Sequence, residues 1–135
     1  MKNNLIITII ICIFCFPNVV WSESFIFKSK NIEILDKGNQ INAYKGKAVS
    51  NDGNLEIKSD KFKYLKNTDI LRSNGNGQVL IKSKKLRIKY DTAIFNQKNL
   101  NFQANGNIEI SQEDRIFVIK TNKIFYDLKN NVVSS

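Results

Sequence analysis

The chain repeats itself at an offset of about 31 residues. At that offset Leu55, Leu86 and Phe117 fall together, as do Ile57, Ile88 and Ile119, Asp60, Asp91 and Asn122, Tyr64, Phe95 and Tyr126, and Leu71, Phe102 and Val133. An offset of about 30 adds an earlier copy, with Phe27 under Ile57, Ile32 under Phe62, Ile34 under Tyr64 and Ile41 under Leu71. One supersecondary unit used three to four times buries a continuous core only by stacking on its neighbours, and it leaves two open ends. Such an object suits binding or bridging better than catalysis.

Inside each copy the apolar residues alternate with polar ones. The pairs are Ile32 and Ile34, Leu55 and Ile57, Phe62 and Tyr64, Val79 and Ile81, Leu86 and Ile88, Ile108 and Ile110, Phe117 and Ile119, and Ile124 and Tyr126, with Ile41, Leu71, Phe95 and Phe102 in the same ladder. Period two is the mark of a strand with one apolar face. Turn residues break the runs at matching places: Lys37-Gly38, Asn67-Thr68, Lys98-Asn99 and Lys129-Asn130; Asn51 to Asn54, Lys82 to Lys85 and Gln112 to Arg115; and, as a third corner, Asn74-Gly75-Asn76-Gly77 and Asn105-Gly106-Asn107. The pattern predicts a single all-β body of roughly 10 to 13 short antiparallel strands, with no flexible linker dividing it. Taken alone, the apolar ladder is an ordinary sandwich core.

Residues 1–22 have the form of a secretory signal peptide: Lys2, an apolar run from Leu5 to Phe16, Pro17, and Val20-Trp21-Ser22 at the cleavage site. The run is short of the roughly 20 residues of a spanning helix. The predicted mature domain is therefore residues 23–135. Cys12 and Cys15, the only cysteines, would leave with the leader, and there is no histidine. Thiol and imidazole nucleophiles and histidine zinc sites are thereby excluded, and no convincing pair of acids supports a carboxylate hydrolase. Asp60 and Asp91 recur at an apparent turn, where an Asx turn is the expected role. Loss of Lys2 lowers the net charge of +9 to +8. The cations alternate with apolar residues, as in Arg87-Ile88-Lys89, which is the pattern of the wet face of a half-buried strand. Nucleic acid is not an expected partner of an exported protein.

The segment Ala104-Asn105-Gly106-Asn107-Ile108, followed by Thr121-Asn122-Lys123-Ile124-Phe125-Tyr126-Asp127, resembles the repeat of the OstA-like family of lipopolysaccharide-transport jellyrolls, a strand ending in A-x-G-N-V and then an A-D-x-x-x-Y-D-like strand. Ser59-Asp60-Lys61-Phe62-Lys63-Tyr64 keeps the second word. The family includes the periplasmic bridge protein LptA, the periplasmic domain of LptC and the N-terminal domain of LptD; the leader is more similar to the first or last of these. The resemblance implies a periplasmic, non-enzymatic β-jellyroll without cofactors or metals. Its apolar ladder would line the path of lipopolysaccharide acyl chains from inner to outer membrane. Its partners would be lipopolysaccharide and related jellyrolls, joined by edge-strand pairing, with head-to-tail self-association expected from the unpaired strand left at Val133-Ser134-Ser135. The competing expectation is a structural β-solenoid or adhesin-like body binding surface polysaccharide through its basic outer face.

Overall fold

The computed structural model describes residues 18–21 and 24–135. They form one antiparallel sheet of nine strands whose spatial order is their order in sequence. The strands are β1 (Asn18–Trp21), β2 (Phe25–Leu35), β3 (Gln40–Ser50), β4 (Leu55–Leu65), β5 (Ile70–Ile81), β6 (Leu86–Asn96), β7 (Asn101–Gln112), β8 (Arg115–Asp127) and β9 (Val132–Ser134). The predicted leader lies outside the described residues except for β1, which pairs with β2 from Asn18 opposite Ser29 to Trp21 opposite Ile26.

The all-β expectation holds, but the strands are fewer and longer than the predicted 10 to 13, because β2 to β8 each run 11 to 13 residues. The reason is that the third corner is not a turn. Asn74-Gly75-Asn76-Gly77 and Asn105-Gly106-Asn107 lie inside β5 and β7, where the register slips and then resumes on both neighbouring strands. A local left-handed kink bends a strand without ending its ladder. Gly106 (φ +82) and Asn107 (φ +46) supply it in β7, as Gly75 and Asn76 do in β5. Only glycine fits at Gly106, since a Cβ there would stand 2.3 Å from the Asp91 carboxylate. Asp60 and Asp91 are accordingly bend residues and not Asx turns. Asp60 accepts from the Asn76 side-chain amide at 2.9 Å and Asp91 from that of Asn107 at 2.8 Å, each across to the neighbouring strand.

Bending every long strand at its middle folds the sheet over on itself. One layer holds residues 25–29, 46–50, 55–58, 77–81, 86–90, 108–112 and 115–120; the other holds residues 31–35, 40–44, 61–65, 70–74, 92–96, 101–105 and 123–127, with β9 beside them. The inner faces make the core. Phe25 in the first layer meets Tyr64 and Phe95 in the second edge-on, with centroids 5.8 and 5.7 Å apart, a favoured aromatic geometry. Phe25 belongs to β2 while its partners belong to β4 and β6, so away from the bend the two layers are skewed relative to each other; nearer the bend Tyr90 of β6 meets Phe102 of the adjacent β7.

Candidate functional site

The space between the layers is the feature that concentrates the predicted residues. Along each strand the ladder points inward, and Ile41, Leu55, Ile57, Phe62, Tyr64, Leu71, Val79, Ile81, Ile88, Phe95, Phe102, Ile108, Ile110, Ile124 and Tyr126 are buried there. Leu86, Ile32 and Phe117 are half-buried. Ile34 and Ile119 share the inner face, opposite Ile41 and Ile110, yet are 58% and 52% exposed. The skew explains them. The later part of β2 has no first-layer strand above it, and the earlier part of β8 has no second-layer strand beneath it. The groove is thus packed with side chains along its middle and uncovered at both ends.

Folding each strand at its middle also brings all hairpin turns to one side, where they form two facing lips. On one lip Asn51 donates its backbone N–H to the carbonyl of Ser24, Lys82 to that of Asn54 and Glu113 to that of Lys85. On the other, Lys66 donates to Asn39, Gln97 to Asp69 and Leu128 to Leu100. These stacked turns satisfy backbone groups that an open rim would leave to water. Among the described residues, side-chain ties cross between the lips at two places. At the first, Asp69 accepts from the Ser24 hydroxyl at 2.8 Å and from the Tyr64 hydroxyl at 2.7 Å. At the second, the Lys84 ammonium donates to Tyr126 Oη at 2.8 Å and to Asn131 Oδ1, while Tyr126 donates to Asn131 at 2.7 Å. Between the ties a cavity of about 210 Å³ opens between the lips, its lining including Leu55, Ile81, Phe95, Leu100 and Leu128. Asp52 sits on its edge with its carboxyl held below the usual range, first by the Ser50 hydroxyl and then by the Asn54 N–H.

The model of the OstA-like protein family matches residues 54–134, from the turn before β4 to the end of β9. The chain belongs to the OstA-like family. Among solved structures, this OstA-like fold is similar to LptH of Pseudomonas aeruginosa, described as the LptA-homologous periplasmic component of a conserved lipopolysaccharide transport device. The TM-score is 0.67 at 16% identity, covering 81% of this chain and 79% of that one. No curated protein matches the chain.

The outer face of the OstA-like sheet carries the cations. Lys28, Lys47 and Lys58 stand directly opposite one another across three strands, a like-charge row that disfavours pairing unless neutralised. Glu56 is the local neutraliser, with the ammonium groups of Lys47, Lys58 and Lys82 at 3.7, 3.8 and 3.8 Å. Lys89 lies 3.9 Å from Glu109 and Arg87 3.8 Å from Glu113. The alternation had assigned Arg87 and Lys89 to the wet side, and their side chains are 41% and 54% exposed there. Of the lip residues, Lys84 lies in a turn that the sequence marked, whereas Ser24, Asp69, Gln97 and Asn131 were not singled out by sequence. The available signal was the repeat itself, since Asp69, Leu100 and Asn131 recur at its offset with φ of +53, +50 and +56.

Proposed function

We propose that this OstA-like protein is a periplasmic, non-enzymatic carrier that bridges inner and outer membrane and passes lipopolysaccharide along the groove with its acyl chains between the layers. The observation that carries this reading is the uncovered inner face at each end, Ile34 on one side and Ile119 on the other, continuous through half-buried Ile32 and Phe117 with a buried apolar ladder. A chain moving from one such end onto the matching end of a neighbour exchanges apolar surface for apolar surface. Each methylene kept from water on the way is worth about 0.8 kcal/mol. Occupation of the middle requires the layers to part and the aromatic side chains to yield their contacts. The description of LptH as a periplasmic transport component supports the same role by analogy of fold.

Two further parts of the reading concern the ends. Export by a cleaved leader, with the mature protein beginning near Glu23, would remove β1 and free the edge of β2 from Ile26 to Ser29 for a partner strand. At the other end β9 pairs only with Phe125, Tyr126 and Asp127 of β8, so among the described residues the rest of that edge has no β9 partner. Both edges are templates for strand addition by a second jellyroll, whether another copy or a related protein.

The test is photo-crosslinking in cells running lipopolysaccharide export. A benzophenone amino acid at Phe102 or Ile119 captures lipopolysaccharide, and one at Lys89 on the outer face does not, because a one-residue step changes face. Capture confined to Lys47, Lys58 and Lys89 would instead establish the polysaccharide-binding outer face. Capture at none of them, in folded protein, would remove the lipid path.

A further inference from the structure

Among the described residues the Ser24–Asp69 and Lys84–Tyr126–Asn131 ties join the lips at two places along the row, and the place between them, at the same positions of the repeat, lacks a tie of this kind. Tyr64 with Asp69, and Tyr126 with Asn131, each bond through a phenol and a residue five positions later. In the unit between, those positions hold Phe95 and Leu100, and the position of the tie's Lys84 is held by Gly53. None of the three can make the bonds. Leu100 moreover keeps the left-handed backbone of its counterparts, with φ +50. Asp and Asn tolerate that conformation through their short polar side chains, whereas a leucine is an outlier in it. At 38% exposure its burial is no evident compensation. Backbone strain kept where the neighbouring units avoid it is a pointer to function. The cavity of about 210 Å³ lies at this place, and the side-chain oxygen of Gln97, on its wall, is buried with no hydrogen-bond partner among the described residues.

We propose that the untied stretch is a lateral portal through which one unbranched alkyl chain of an amphiphile enters or leaves the groove between the lips, without travelling from an end. Leu55, Ile81 and Phe95 receive the chain. Lys84 stands at the rim for its polar end, with the buried Gln97 side-chain oxygen on the wall below. The cavity is smaller than the roughly 300–1,000 Å³ of pockets that enclose a whole ligand, which suits a single chain in passage. The inference rests on the reading that the groove carries acyl chains, and it adds where and how they cross its wall.

The experiment is the association rate of cis-parinaric acid, a fluorescent fatty acid, with purified protein in a stopped-flow instrument. The variant Gly53→Lys/Phe95→Tyr/Leu100→Asn places the residue types of the Lys84–Tyr126–Asn131 tie in the gap, with the new lysine on a backbone at φ +75 that strains any side chain. It should slow association about tenfold, the factor expected when one or two hydrogen bonds must break before the lips part. The converse variant Tyr126→Phe/Asn131→Leu, which loosens an existing tie, should speed it by several-fold and keeps the test available if the first variant fails to fold. Equal rates in wild type and the folded variants, with the probe bound, overturn the portal and leave the groove reading standing. Absence of probe binding by wild type and variants alike overturns both.

Discussion

Single residues set the bend and the chemistry beneath it. Gly106 combines φ +82 with a virtual Cβ 2.3 Å from Asp91, so Gly106→Ala should lower stability by about 1–3 kcal/mol, read as a shift of the urea midpoint. An unchanged midpoint would show that the strand bends without this kink. At the same bend Tyr90 is buried, its hydroxyl 2.7 Å from that of Ser73. Burial pushes its phenol above the usual value of 10.0, and the Ser73 hydroxyl only partly opposes the shift. A raised folded value means that the stability contributed by the neutral phenol is complete below the unfolded value. It drains away as pH rises beyond about 10, because the unfolded chain then loses a proton that the folded one keeps. Tyr90→Phe should cost about 1 kcal/mol at neutral pH by stranding Ser73. The gap between the two proteins should then narrow in alkaline denaturation scans above pH 10.

At the scale of elements, the strands are held by inward apolar pairs and strained by outward charges. Lys28, Lys47 and Lys58 follow one another across β2, β3 and β4, and Glu56, with its side chain 14% exposed, sits among the last two and Lys82. Glu56→Gln leaves these ammonium groups facing each other. The expected loss is up to about 1 kcal/mol in low salt, since the lysines are largely solvated, shrinking as salt screens the row. Thermal melts across a salt series check this; a loss independent of salt would assign the role of Glu56 to packing.

For the whole molecule, the skew of the two layers is the property with functional consequences. It leaves the inner face of β2 bare at Ile34 and that of β8 bare at Ile119, at opposite ends of the row of strands. Complementary ends of this kind give a head-to-tail contact that need not close into a ring. Sedimentation of protein beginning at Glu23 should therefore show growing oligomers with concentration. Ile119→Asp should shift the series toward monomer with little change in fold, since the residue is already 52% exposed. A strict monomer over a wide concentration range, with no binding to related jellyrolls, would remove the bridging arrangement.

The inward face was legible from sequence because side-chain direction in a strand is a matter of parity, a local property. Ile57, Ile88 and Phe102 could be assigned to it without knowing what they would meet. The repeat likewise placed the lip turns correctly, since turn residues act over two to four positions. Glycine-asparagine words carry two meanings, however, and only the persistence of the neighbouring ladder showed that Asn105-Gly106-Asn107 bends a strand instead of ending it. Which parts of the inner face are covered depends on how far one layer slides over the other, a sum of twists and bends accumulated across many strands. No single residue records that sum. Ile34 and Ile110 read alike in the sequence, yet one is 58% exposed and the other 6%. The ties between the lips are of the same kind, since Ser24 meets Asp69 and Lys84 meets Tyr126 across separations of 45 and 42 residues. The alternation of residues decided which way each side chain points; the skew of the folded sheet decided what it touches.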